Sequence, residues 1–295
     1  MEIELNLYKA ENSREWMIHT MRVSRRLKIT KRHVLSHCIN RLIITILAFF
    51  ARGVKDLFNM SVEHHPSALR NRIHILEALK TRIPSTATNF LEASSGTGAH
   101  VSYFSSTFSH ITFQPSEYVV LDEPNDPATL GRIGIRDGLT VLQTLDKVNE
   151  QLSNVSKAIS LDLSKEFPES VTNQTWDVVF AANVTHISPI ACTHGLLKGA
   201  GRVLKMGGLC FVYGPFKKNG TFTGEGDGNA KFDASLQERN SEWGYREVEY
   251  LEKYGNGCGL ELVEAVDMPA NNFLLCFEKK ELKDTGATTT TSSKV

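Results

Sequence analysis

Residues 89–101 read Asn-Phe-Leu-Glu-Ala-Ser-Ser-Gly-Thr-Gly-Ala-His-Val, and this stretch limits the possible fold more than any other. A short apolar run, Phe90 and Leu91, ends in Glu92. Small residues with Gly96 and Gly98 follow, and a helix-like sequence begins at Ala99. In a parallel α/β sheet that order is the first strand, a tight turn and the start of the first crossover helix. Residues without bulk let a ligand sit against the backbone of such a turn. Open amides at the start of the next helix can then face a carboxylate or another polar group. A dinucleotide fingerprint, G-x-G-x-x-G/A, would place a third small residue where this chain has Val101, which argues against a nicotinamide cofactor. An ordinary glycine-rich strand–helix turn is the competing reading of this segment alone.

The segments around the turn repeat the strand–helix order. Pro66 suits the first turn of a helix and Pro84 its end, with Leu69, Ile73, Leu76 and Ile83 at helical spacing. This helix is expected to cross the sheet and bring Arg70 and Asn71 toward the ligand crevice. Val101, Phe104 and Phe108 mark the buried side of the next helix, and Ile111–Gln114 reads as the second strand, ending in Pro-Ser-Glu117. Glu117 stands about twenty residues beyond the glycines, where an acid accepts hydrogen bonds from both hydroxyls of a ribose. Residues 122–137, with two prolines and two glycines, read as a surface insertion. A helix with Leu142, Leu145, Val148 and Leu152 on one side leads to a third strand, Ala158–Leu161, followed by Asp162 and Leu163.

Trp176–Ala182 is a near-continuous apolar run, the pattern of a central parallel strand buried on both faces. Its exit carries Asn183 and His186. Ligands bind at the carboxyl ends of such strands, so these polar residues are the candidates for chemistry. With an unperturbed pKa of about 6.5, His186 can take a proton from an incoming nucleophile; a hydrogen-bonded structural histidine is the other reading. A helix over 190–204 and a fifth strand over 209–213 follow, and Tyr213-Gly-Pro-Phe emerges on the same edge. Residues 217–230 are glycine-rich and read as a cover or substrate loop, while 232–240 and 246–254 look helical. Leu260–Asp267 and Asn272–Glu278 are two strand-like runs joined by four residues. So short a link implies antiparallel pairing, because a parallel crossover needs about a dozen residues or more.

Composition decides what lies outside this domain. The chain has 295 residues and no net charge, yet residues 1–59 hold eleven Lys/Arg against five Asp/Glu. The rest is therefore mildly acidic and offers no nucleic-acid surface. The apolar run Leu42–Ala51 has ten residues, too short for the roughly 20 that a membrane span needs. The basic extension 1–60 reads as incidental to function, as a mitochondrial targeting segment or as a membrane-surface helix. Met60 directly precedes Ser-Val-Glu-His-His, where the organised domain, 61–280, begins. The tail 281–295 is Thr/Ser-rich and expected to be disordered. Five widely spaced cysteines read as reduced thiols of a cytoplasmic protein, with mitochondrial location the alternative, and no metal site is expected.

An acid at a strand end followed by Ser-Gly-Thr-Gly resembles the first motif of S-adenosylmethionine-dependent methyltransferases. Taken with RNRIHILEAL, FQPSE, NVTHISPIACTHGLLKGAGRVLKMGG, YGPFKKNG, FDASLQERNSEWGYRE and VDMPANN, the chain resembles the methyltransferase-like protein 26 family over residues 65–280. The resemblance implies a class I methyltransferase, Rossmann-like fold: a seven-stranded, mainly parallel sheet with a C-terminal antiparallel hairpin. It implies S-adenosylmethionine as cofactor, with Glu92, Gly96 and Gly98 at its methionine end and Glu117 at the ribose. Asp162 would meet the adenine and Leu163 pack on the ring. Asn183 and His186 are then expected on the acceptor side and Tyr213 along the methyl-transfer pocket. Arg239, Asn240, Trp243, Arg246 and Asn271 are expected to contact a small-molecule substrate. The sequence departs from the family pattern at Ala99, where Gln is usual, at Glu117, where Asp is usual, and in the longer 122–137 segment. A catalytically silent binding module that acts through a partner is the alternative function.

Overall fold

The computed structural model describes residues 64–118 and 140–281, and the expectations for the basic extension, the 122–137 insertion and the tail lie outside these residues. The elements are α1 (Pro66–Lys80), β1 (Asn89–Ala93), α2 (Val101–Thr107), β2 (Thr112–Glu117), α3 (Val141–Asn149), β3 (Ile159–Ser160), α4 (Glu169–Thr172) and β4 (Trp176–Ala182). They continue with α5 (Ile190–Val203), β5 (Leu204–Lys218), β6 (Thr221–Phe222), α6 (Gly228–Arg239), β7 (Arg246–Glu247), α7 (Val248–Gly257), β8 (Leu260–Met268) and β9 (Asn272–Lys279).

The sheet runs β3-β2-β1-β4-β5-β9-β8, with the short β6 and β7 attached to the end of β5. Pairing is parallel from β3 through β5. It turns antiparallel at β9, which pairs with β5 on one side and β8 on the other. The chain crosses outward from β1 to β3, then returns to place β4 on the other side of β1. That reversal opens a crevice at the carboxyl ends of β1 and β4.

Alternation along each strand divides the core in two. On one face Phe90, Val178, Phe180, Phe211 and Leu274 meet Ile75 and Leu79 of α1 and Val101 and Phe104 of α2. On the other, Leu91, Val179, Val212 and Leu275 meet Leu196, Leu197 and Ala200 of α5 and Leu251 of α7. β4 is buried along nearly its whole length, so its apolar run has no polar side to show. Each such fully buried Phe or Leu contributes about 1.5–3 kcal/mol of transfer free energy.

Some sequence expectations shift. The buried stripe of α1 is Ile75, Leu76 and Leu79, while Leu69 and Ile73 are exposed. Periodicity fixed the helix but not which of two overlapping stripes faces the sheet. β5 starts at Leu204 rather than 209, because the chain pairs with Trp176, is displaced around Gly207, and resumes pairing at Val178. The glycine-rich loop folds into the β6 hairpin and the first turn of α6. Among the described residues no helix is long and apolar enough to cross a membrane.

Candidate functional site

Two neighbouring strands end in the same unusual backbone state. Ser94 follows β1 with φ 58° and Asn183 follows β4 with φ 59°, both left-handed. Asn tolerates that region; Ser adopts it at some cost. Gly96 and Gly98 are also left-handed, at φ 56° and 82°, but for different spatial reasons. A Cβ on Gly98 would crowd Leu145 of α3 at 3.2 Å, so this glycine lets α3 approach the turn. Among the described residues a Cβ on Gly96 would meet nothing within 4 Å, so they leave the space in front of this glycine open.

The turn is wired to the β2 exit. The Gly96 amide donates to Glu117 Oε2 at 2.7 Å, and the Tyr118 amide donates to Oε1 at 2.9 Å. Burial, reinforced by the Glu92 carboxylate, outweighs these two bonds and pushes the Glu117 pKa up to about 6. The helix proper starts at Val101, two residues later than the sequence suggested. The intervening turn uses its own amides, with Gly98 N–H donating to the Ser95 carbonyl. The start of α2 carries no side-chain cap, so the amides leading into it stay open among the described residues, as the sequence led one to expect.

The side chains around the turn form a buried cluster. Glu92 is 1% exposed, and neither of its carboxylate oxygens has a hydrogen-bond partner among the described residues. His100 Nδ1 lies 3.4 Å from Glu92 Oε1, and the His100 Nε2 is unpartnered as well. His64 Nδ1 is 2.7 Å from Thr97 Oγ1. From α1 it is Arg72, not Arg70, that reaches the turn: Arg70 is exposed, while the Arg72 guanidinium lies 4.6 Å over the Tyr103 ring. Arg72, His64, Thr97 and His100 are absent from the sequence-derived site, since nothing in helical periodicity shows which polar residue crosses to another element.

Further along the crevice, Asp162 follows β3 and accepts from the amide and hydroxyl of Ser164, with Lys165 Nζ at 3.2 Å. Burial alone would raise its pKa, but the Ser164 bonds and Lys165 outweigh it and hold Asp162 below the usual range. Leu163 packs into the core at 4% exposure beside Phe167 and Leu196.

At the β4 exit the Asn183 amide donates to the Tyr213 carbonyl, tying the two strand ends together. His186 is 5% exposed. Its ring meets Phe232 and Tyr245 at centroid distances of 6.1 and 6.4 Å. Its Nδ1, without a hydrogen-bond partner among the described residues, faces Gly214, where a Cβ would sit 3.5 Å away. Burial, with the charges of Arg246 and Arg239, lowers the His186 pKa to about 4. The imidazole is thus neutral near pH 7: a hydrogen-bonding group rather than a strong base. Tyr213 is buried among the apolar residues of β4, β5 and β9, and burial pushes its pKa to about 12.

The remaining sequence-derived residues separate by what they touch. Arg246 donates to the carbonyls of Thr185, Ser188 and Glu242, bracing the β4 exit from behind. Asn240 accepts from the Glu242 amide, and Arg239 lies 5.7 Å over the Trp243 ring, so these three shape the turn after α6. Asn271, left-handed at φ 57°, fills the space in front of Gly224. The structure brings Glu92, Gly96 and Glu117 together on one stretch of crevice and Asn183 with His186 on another. It gives Arg246, Asn240 and Asn271 contacts within the protein.

Solved structures share this architecture. The mitomycin 7-O-methyltransferase MmcR is 11% identical with a TM-score of 0.54, covering 72% of this chain and 54% of that one. An O-methyltransferase family protein from Burkholderia thailandensis is 12% identical with a TM-score of 0.53, covering 70% and 55%. Human N-acetylserotonin methyltransferase, solved in complex with SAM, is 14% identical with a TM-score of 0.51, covering 71% and 51%. The chain spans about half the length of these proteins. At such identities the likeness is one of fold, that of class I methyltransferases. A family model described as Protein of unknown function (DUF938) matches residues 62–279.

Proposed function

This chain belongs to the family described as Protein of unknown function (DUF938), and we propose that its domain binds S-adenosylmethionine and transfers the methyl group to a small-molecule acceptor. The finer assignment, to the methyltransferase-like protein 26 family, rests on the sequence segments quoted above. One observation carries the cofactor reading: the Glu92 carboxylate is buried with both oxygens unpartnered among the described residues, beside a glycine turn in front of which those residues leave open space. A buried carboxylate without a partner is costly, and a ligand ammonium would offset that cost.

The residues present fit the cofactor. Glu92 and the Gly96–Gly98 turn would hold its methionine end, Glu117 the ribose hydroxyls, and Asp162 the adenine edge. Each Glu117 oxygen accepts one amide bond and keeps a lone pair for a hydroxyl. When bound, the cofactor supplies a methyl group already activated on a sulfonium sulfur. The protein's part is then to align the acceptor and exclude water. Asn183 and His186 would line the acceptor side. His186, neutral, orients a donor hydrogen on the acceptor. Tyr213 stays protonated and serves as wall.

The experiment is calorimetry with S-adenosylmethionine and S-adenosylhomocysteine, followed by transfer of labelled methyl groups into metabolite extracts. Heat with both ligands and a labelled product are expected; no heat from a folded protein would end the cofactor reading. His186→Ala should lower turnover about 10- to 100-fold, the loss of one buried hydrogen bond, with cofactor affinity unchanged. Equal turnover would remove His186 from the acceptor side.

A silent binding module is the second reading. It is favoured by one feature, that His186 and Tyr213 both titrate far from neutrality. Binding without labelled product across small-molecule and protein fractions would select it.

A further inference from the structure

A surface groove of about 250 Å³ lies beside the β3 exit, between the segment after β3, α5 and the end of α7. The Leu163 carbonyl and the Phe167 ring lie directly against Gly195 and Gly199, where a Cβ would overlap them, so this segment is seated on α5 and forms one wall. Tyr254 of α7 adds another. The His194 ring stacks on it at 4.2 Å with the planes 8° apart, and His194 Nε2 lies 2.6 Å from the Tyr250 hydroxyl, so that wall is a flat ring held in place. The rim is basic: Lys165, Lys198 and Arg202 stand against one carboxylate, Glu166. That carboxylate does not serve all three. Lys198 Nζ meets Oε1 at 2.7 Å, Arg202 reaches Oε2 only at 3.5 Å, and Lys165 turns to Asp162 instead. A flat wall under an excess of cations suits a ligand with a ring and a negative charge, and the volume suits a small molecule rather than a polypeptide segment.

We infer that this groove is an effector site for a ring-bearing organic anion, which packs its ring on Tyr254, pairs with Arg202, Lys198 and Lys165, and acts on the cofactor site through Lys165. The link to the cofactor rests on the reading above, in which Asp162 holds the adenine edge. Ser164 occupies Asp162 Oδ1 with its amide and hydroxyl, and Lys165 Nζ stands 3.2 Å from Oδ2. Oδ2 is therefore the oxygen left for an adenine amino group, and Lys165 competes for it. An anion in the groove draws Lys165 away, frees Oδ2 and strengthens cofactor binding. By reciprocity the cofactor strengthens the anion by the same factor. Exposed ion pairs are individually weak, so the coupling is about two- to fivefold.

The test titrates the full chain at low salt, by calorimetry, with naphthalene-2-carboxylate, its uncharged amide and inorganic phosphate. The carboxylate is expected to bind about 5- to 10-fold tighter than either of the others, since only it offers both ring and charge. Arg202→Gln should weaken it about threefold, and Glu166→Gln, which removes the competing carboxylate, should tighten it by about the same factor. Both side chains are exposed, so both variants should fold. Saturating carboxylate should tighten S-adenosylhomocysteine about two- to fivefold, and Lys165→Gln should abolish that response. Equal binding of the carboxylate and its amide, or of the carboxylate and phosphate, overturns the site, as does no binding of the carboxylate or a loss in Glu166→Gln. An anion that binds and leaves S-adenosylhomocysteine unchanged overturns its action through Lys165. No binding of S-adenosylhomocysteine removes the cofactor reading, and the carboxylate titration still decides the groove.

Discussion

Gly195→Ala is expected to destabilise the domain by about 3 kcal/mol, at the upper end of what overpacking costs. Ala is normally the better helix former by about 1 kcal/mol, so propensity alone predicts the opposite sign. The geometry decides. Gly195 lies in α5, and a Cβ there would overlap the carbonyl oxygen of Leu163, a backbone atom that no rotamer change can move. Relief would require shifting either the helix or the segment that leaves β3. For a domain of this size the loss corresponds to a fall in melting temperature of about 6–12 °C. Gly257→Ala is the control: it sits at the end of α7, where an added Cβ would meet nothing within 4 Å among the described residues, and should stay within about 1 kcal/mol of the parent. Thermal unfolding of the two variants side by side checks the prediction, and an unshifted Gly195→Ala would mean that Leu163 yields easily. Because Leu163 directly follows Asp162, the same variant should weaken S-adenosylhomocysteine more than unfolding alone explains.

Cofactor affinity should fall as pH drops through about 6, the value to which burial and Glu92 raise the Glu117 carboxyl. The sign follows from linkage. In the proposed complex the ribose hydroxyls would donate to Glu117, so the bound state would favour the ionised carboxylate. Above about pH 6 that form already exists, and binding is insensitive to this group. Below it, a proton must leave before the diol is held, and affinity declines by up to about tenfold per pH unit. Titrating S-adenosylhomocysteine between pH 5 and 8 should show the inflection in the parent protein and not in Glu117→Gln. A profile that is the same in both proteins would assign the pH dependence elsewhere and remove Glu117 from the ribose site.

How far this was legible in the sequence depends on the kind of signal. Trp176–Ala182 and the hairpin 260–279 were readable to within a few residues. Strand burial imposes an apolar run, and a four-residue link leaves no room for a crossover. Gly96, Gly98 and Glu117 were readable as a group, because their spacing is fixed by one strand–turn–helix unit and its neighbour. Arg246 was not. Its sequence context resembles that of a substrate residue, yet its guanidinium is engaged by the carbonyls of Thr185, Ser188 and Glu242. The environment of His186 was equally hidden, since the rings that bury it come from α6 and from the segment before β7.

The sequence by itself determined the order of elements, the faces of the central strands and the turn that opens the crevice, because each is set by local geometry and by which residues must leave water. Only the tertiary structure decided that Arg72 rather than Arg70 meets the turn, that Glu92 is buried without a partner among the described residues, and that His186 is neutral. Those properties depend on how far a side chain extends between elements distant in sequence and on how much water their packing excludes, and neither quantity is written in a local pattern.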